Sequence, residues 1–242
     1  MVLALCAGVA LSQAFRTVGA IMASPLQADF GLSAQALGIF SGAFHFAFGA
    51  MQLFMGIGID LHGVRRTVLV PFPIAIAGAL LSALAQSYPV LVAGQALIGI
   101  GCAPAFLVCT VFVARHFPAA RFATVSGLVL AIGGIGMLVT GTPLAWLVEA
   151  YSWRAGFVVL AAVSALAWLA IWHWVREPAS AVPQAKESIP DAIRQFGVLL
   201  AMPHTLGIVL LGAVTYAAFI SLRGLWLGPL MMERHGYSLV QS

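Results

Sequence analysis

The 242-residue chain is 62% hydrophobic and only 7% charged, with a mean hydropathy of +1.05 and a formal charge of +4. Soluble domains carry about 25% charged residues, so this composition excludes a water-facing globular surface and points to an all-α integral membrane protein. The bases fall singly or in pairs along the chain, which gives no nucleic-acid-binding patch.

Seven apolar runs follow one another, at about 2–25, 35–55, 67–86, 90–114, 124–148, 156–175 and 204–232. In lipid, runs of this length pair their own backbone N–H and C=O groups only as helices. No basic region precedes the first run, and it continues too far for a cleavable signal, so it is expected to remain as a span. Cys6, Cys102 and Cys109 lie inside runs without ligand spacing and read as small buried side chains.

The gaps carry the orientation. Arg65 and Arg66 follow the second run, Arg115 and Arg121 the fourth, and Arg176, Lys186 and Arg194 the sixth. The alternate gaps hold only Arg154 and Arg234. Basic residues concentrate in cytoplasmic loops, so the amino terminus and the Gly56–Arg66 stretch are expected on the cytoplasmic side of a cell (inner) membrane.

The longest gap, 176–203, holds Pro178, Pro183 and Pro190, and reads either as a flexible linker or as carrying a surface helix. In the second reading Ser188 caps the helix, and Ile189, Ile193, Phe196 and Leu200 share one face. The gap divides the chain into a six-helix unit (1–177), a central loop (178–203) and a further span (204–242). That last span repeats the first. Span one closes on Ser24-Pro25-Leu26 and continues to Gly31-Leu32-Ser33; span seven closes on Gly228-Pro229-Leu230 and continues to Gly236-Tyr237-Ser238.

Between spans two and three the sequence reads Gly56-Ile-Gly-Ile-Asp60-Leu-His-Gly63-Val-Arg65-Arg66, a short charged gap expected to form a tight, water-facing turn. With His116-Phe117-Pro118 and Arg121 after span four, and Trp153-Arg154 with Phe157 before span six, the chain resembles the major facilitator superfamily of secondary transporters. Leu61 stands where that family's loop has a base. The resemblance implies twelve helices in two halves around a cavity, so this chain is expected to be a fragment: one half and the first helix of the other. It also implies that Asp60, with Gly56, Gly63, Arg65 and Arg66, forms a gate. Asp60 would pair with Arg65 or with a helix end of the other half.

Two arginines lie inside spans. Arg16 sits mid-span one with Gln13 a turn earlier, and Arg223 sits in span seven with Tyr216, Phe219 and Trp226 on its face. Placing an arginine mid-membrane costs at least ~2.5 kcal/mol, and such residues commonly face a water-filled cavity. All seven acids, Asp29, Asp60, Glu149, Glu177, Glu187, Asp191 and Glu233, lie at span ends or in gaps. A guanidinium pair without a carboxylate calls for an anion, which it binds in a fork. The expected cargo is a small organic or inorganic anion, moved with a coupling proton or a counter-anion. His45 offers a group that titrates near neutral pH, and Gln95 either lines the cavity or bonds between helices. The rivals are a neutral drug, sugar or metabolite carrier with structural arginines, and a non-transporting sensor or scaffold. The sequence shows no HExxH or Gly-x-Ser-x-Gly motif and no phosphate-cradling loop, so no enzyme, metal or cofactor is expected.

Overall fold

The computed structural model describes residues 1–176, 194 and 197–236, with all their side chains except those of Leu53 and Arg223. Among these residues every regular element is helical, and seven segments are long and apolar enough to cross a membrane. The first span is Val2–Phe30. The helix Ala34–Leu69 supplies the second span and the start of the third, which Phe72–Ala83 completes. Tyr88–Cys102 with Pro104–His116 form the fourth, Ala119–Val139 with Thr142–Ala150 the fifth, and Trp153–Trp174 the sixth. The seventh runs through Pro203–Ser221, a π-helical turn Leu222–Trp226, and Leu227–His235.

Two boundaries differ from the sequence reading. The charged stretch Gly56–Arg66 is mostly helix, and the reversal happens at Gly63 alone (φ 78°, ψ 172°). Charged side chains do not break a helix; a backbone conformation without room for a Cβ does. Span one likewise does not stop at Pro25. The proline sits inside the helix, between the fully buried Met22 and Leu26, and the helix ends five residues later at Gly31 (φ 62°). Gly31 N–H closes that end on Gln27 O at 2.9 Å, and Gly236 (φ 67°) closes span seven on Met232 O at 3.1 Å. The repeat seen in sequence thus recurs as the same left-handed glycine stop. Tyr237 and Ser238, and Ser188, Ile189, Ile193 and Phe196 of the proposed surface helix, lie outside the described residues; Leu200 is helical.

Span one is the axis of the bundle, packed against spans four, five and six. One buried cluster (Met22, Leu26, Phe40, Phe44, Phe157) fills the end nearer Asp29, and another (Leu5, Val9, Val68, Phe72, Phe112) fills the end nearer Gly63. Glycines set the closest approaches, as small residues do where lipid offers no hydrophobic drive between helices. A Cβ on Gly136 would overlap the Ala10 carbonyl of span one, and one on Gly78 would press on the backbone of span four. The three cysteines are free and buried, as expected.

Span seven meets the bundle on one end only. Leu225 is buried against the cluster around Met22, Met232 packs beside it, and Ser24 Oγ lies 3.8 Å from Met232 Sδ. Pro203–Ser221 is exposed along nearly its whole length, with Ile220 its one buried residue. The two parts therefore close at the Asp29 end and stand apart at the Gly63 end.

Candidate anion site and gating loop

The fourth span breaks where Pro104 lacks an N–H. Ala103 N–H bonds Ile100 O at 3.3 Å, closing the break tightly. The carbonyls of the two residues before the proline then receive side chains from neighbouring spans. Ser12 Oγ donates to Cys102 O at 3.5 Å and Gln52 Nε2 to Ala103 O at 2.8 Å. Beside this break a cavity of about 200 Å³ is lined by Val9, Ser12, Gln13, Arg16, Phe106 and Leu130.

Arg16 forms the charged wall. Its Nη1 donates to Tyr216 Oη of span seven at 2.7 Å, and its guanidinium carbon lies 4.3 Å from the centre of the Phe48 ring. A cation over an aromatic face gains ~0.5–2 kcal/mol, more as water is excluded. Arg16 Nε is buried without a hydrogen-bond partner, and so is Gln13 Oε1 one turn away. No carboxylate pairs with Arg16 among the described residues. One donor and one acceptor are therefore left unused beside a cation, in a water-sized space.

His45 donates from Nδ1 to Ser41 O at 3.0 Å, since a carbonyl can only accept, and its Nε2 is buried without a partner. Gln95 is 1% exposed, enclosed by the packing of spans two, three and four, and its Nε2 has no partner. Of the predicted residues, Arg16, Gln13 and Tyr216 come together, whereas Gln95 sits in the helix interface away from the open space. Arg223 and Trp226 lie in the π-helical turn, the part of span seven that packs on spans one and two. In that turn Leu227 N–H bonds Leu222 O, five residues back, so the stripe expected from Tyr216 to Trp226 slips there.

In the gating loop Asp60 reaches Arg115 Nη2 at 3.6 Å, joining the ends of spans two and four. Arg65 Nη2 donates to Trp172 O of span six at 2.9 Å, and Thr67 Oγ1 caps Gly63 O at 2.7 Å. The opposite end carries a second polar lock that the sequence reading did not join. Asp29 Oδ2 accepts from Trp153 Nε1 at 2.8 Å and from Arg154 Nη1 at 3.1 Å, and Arg154 Nη2 reaches Ala85 O at 3.2 Å. The adjacent Trp153-Arg154 pair and a lone acid after span one were its available signals. Phe48 and Phe106 gave none, being ordinary apolar residues of their spans.

A sequence profile for the Major Facilitator Superfamily matches residues 4–242. The chain belongs to this superfamily. Among its members the chain is 30% identical over 152 residues to the "Probable sulfoacetate transporter" of Cupriavidus necator, covering 62% of this chain and 35% of that one. It is 26% identical over 159 residues to the hexuronate transporter of Bacillus subtilis, covering 65% and 37%. A bacterial homolog of the human lysosomal transporter Spinster, solved inward-facing and occupied, shares the fold with a TM-score of 0.72 at 22% identity, covering 99% of this chain and 55% of that one. The chain thus spans roughly a third to a half of these superfamily members.

Proposed function

We propose that this chain supplies one half, and the first helix of the second half, of a carrier moving small organic anions across a cell membrane by alternating access. Arg16 carries the reading. It is a mid-membrane guanidinium whose contacts are a hydroxyl and a ring, with Nε unused and no carboxylate beside it among the described residues. Such a group gains most from an incoming anion, which takes two N–H donors at once. Sulfoacetate and hexuronate, named for two relatives, are anions. Arg223, on the element packed against span one, is the second cation of the site. Gln13 and Tyr216 orient the cargo, and His45 passes the coupling proton. The loop Gly56–Arg66 is the gate on the cytoplasmic side, with the amino terminus on that side and domain limits at 177 and 203.

A second reading is favoured by the same contacts. Tyr216 and Phe48 hold Arg16 without cargo, which suits a carrier of neutral solutes with a structural arginine. Uptake of labelled anionic and neutral solutes into proteoliposomes decides between them, using the protein that contains this chain. The anion reading expects Arg16→Lys to cut anion uptake by on the order of tenfold or more, since charged hydrogen bonds contribute ~1.5–3 kcal/mol. Unchanged anion uptake by Arg16→Lys and Arg223→Lys would refute it.

A further inference from the structure

Outside the Arg16 site, four basic side chains face one cavity. His62, Arg65, Arg66 and Arg176 line a space of about 430 Å³ at the Gly63 end, and no acidic residue is among its lining. The walls are held in place. Arg65 Nη2 is bonded to Trp172 O at 2.9 Å and Trp168 Nε1 to Leu69 O at 3.0 Å, so the loop after span two is clasped to the end of span six. The reversal at Gly63 sets His62 on one side of the turn and the two arginines on the other, and Arg176 closes the ring from beyond span six.

The depth of the cavity indicates its surroundings. Trp172 and Trp174, on the last turn of span six, are 54% and 60% exposed. Exposed tryptophans at a span end sit at the level of lipid headgroups, and basic pockets between spans at that level suit anionic headgroups. Guanidinium groups bind phosphate oxygens in a fork that a lone ammonium cannot form. We infer that this pocket binds a phosphate oxyanion through Arg66 and Arg176, with Arg65 and His62 flanking, and that in the membrane the phosphate is the headgroup of an anionic lipid. This site is separate from the cargo site and does not depend on what the carrier moves.

The test uses the purified chain in nanodiscs of phosphatidylcholine, with and without phosphatidylglycerol. Lipid retained through detergent extraction is then quantified by native mass spectrometry. Wild type is expected to retain phosphatidylglycerol over phosphatidylcholine. Arg66→Ala and Arg176→Ala should each weaken that retention about fivefold, the scale of one basic residue at a membrane surface. Arg121→Ala, a base in the gap after span four, should leave it unchanged. Arg66→Lys and Arg176→Lys keep the charge and guard against misfolding; they should lose part of the preference, because the fork is gone. Inorganic phosphate, titrated against the bound lipid, separates the two sources. Displacement of lipid by phosphate assigns the pocket to the phosphate group itself, and retention despite phosphate assigns it to the intact headgroup. Equal retention by wild type and both alanine variants, or an equal loss in Arg121→Ala, overturns the proposal.

Discussion

Replacing Gly78 by alanine tests the packing that shapes the whole bundle. A Cβ there would stand 2.7 Å from Gly94 O, 2.8 Å from Ile98 N and 2.8 Å from Leu97 Cβ, all on span four. Carbon–oxygen contacts settle near ~3.3–3.6 Å, so spans three and four would have to part by roughly 0.7 Å. Two of the three obstacles are backbone atoms and cannot rotate away. Overpacking of this kind costs ~1–3 kcal/mol, while the better helix propensity of alanine returns ~0.8–1 kcal/mol. The expected net is a loss of about 0.5–2 kcal/mol. Gly42→Ala is the control, because nothing lies within 4 Å of its added Cβ. That variant should be neutral or slightly more stable. Unfolding of the purified chain in mixed micelles, titrated with dodecyl sulfate and followed by circular dichroism, reads the difference. If Gly78→Ala unfolds with Gly42→Ala, the two spans do not interlock here and the enclosure of Gln95 beside Gly94 loses its basis.

Three further outcomes follow from the same geometry. Gly63→Ala forces a Cβ onto a backbone at φ 78° and ψ 172° and should cost ~1–3 kcal/mol in the same titration. In the lock at the other end, Asp29→Asn keeps an acceptor for Trp153 and removes the charge facing Arg154. With both side chains nearly half exposed, the loss should stay below ~1 kcal/mol, and Asp29→Ala should exceed it by stranding the partly buried indole N–H. A double-mutant cycle on Asp60→Asn and Arg115→Gln should show a coupling of ~0.2–1 kcal/mol in stability; strict additivity would mean that the 3.6 Å pair is not an interaction.

Much of the architecture was legible because lipid leaves the backbone so few choices. Length and hydropathy gave the seven spans, and the charged gap with Gly63 pointed to the family. The exact turns were not legible. Asp60, His62 and Arg65 look like a loop on composition, yet each continues the helix until the one residue that cannot. Pro25 looks like a stop, but burial on both sides carries the helix past it. At the candidate site, Arg16, Gln13 and Tyr216 were found because polar atoms in an apolar run stand out. Phe48 and Phe106 stay hidden for the opposite reason: a ring under a guanidinium looks, in sequence, like any other core ring. Arg115 was visible as a base, but its pairing with Asp60 depends on how spans two and four end side by side.

The π-helical turn at Leu222–Trp226 sets a limit on how this span can change length. A turn closed from Leu227 N–H to Leu222 O holds one residue more than an α-helix would. Deleting a single residue there lets the helix run straight, and everything beyond it swings by about 100° about the axis. Leu225 and Met232, which now seat against span one, would then face elsewhere. Length variants among relatives are therefore expected to add or lose residues at the helix ends, and to keep this surplus residue where it is.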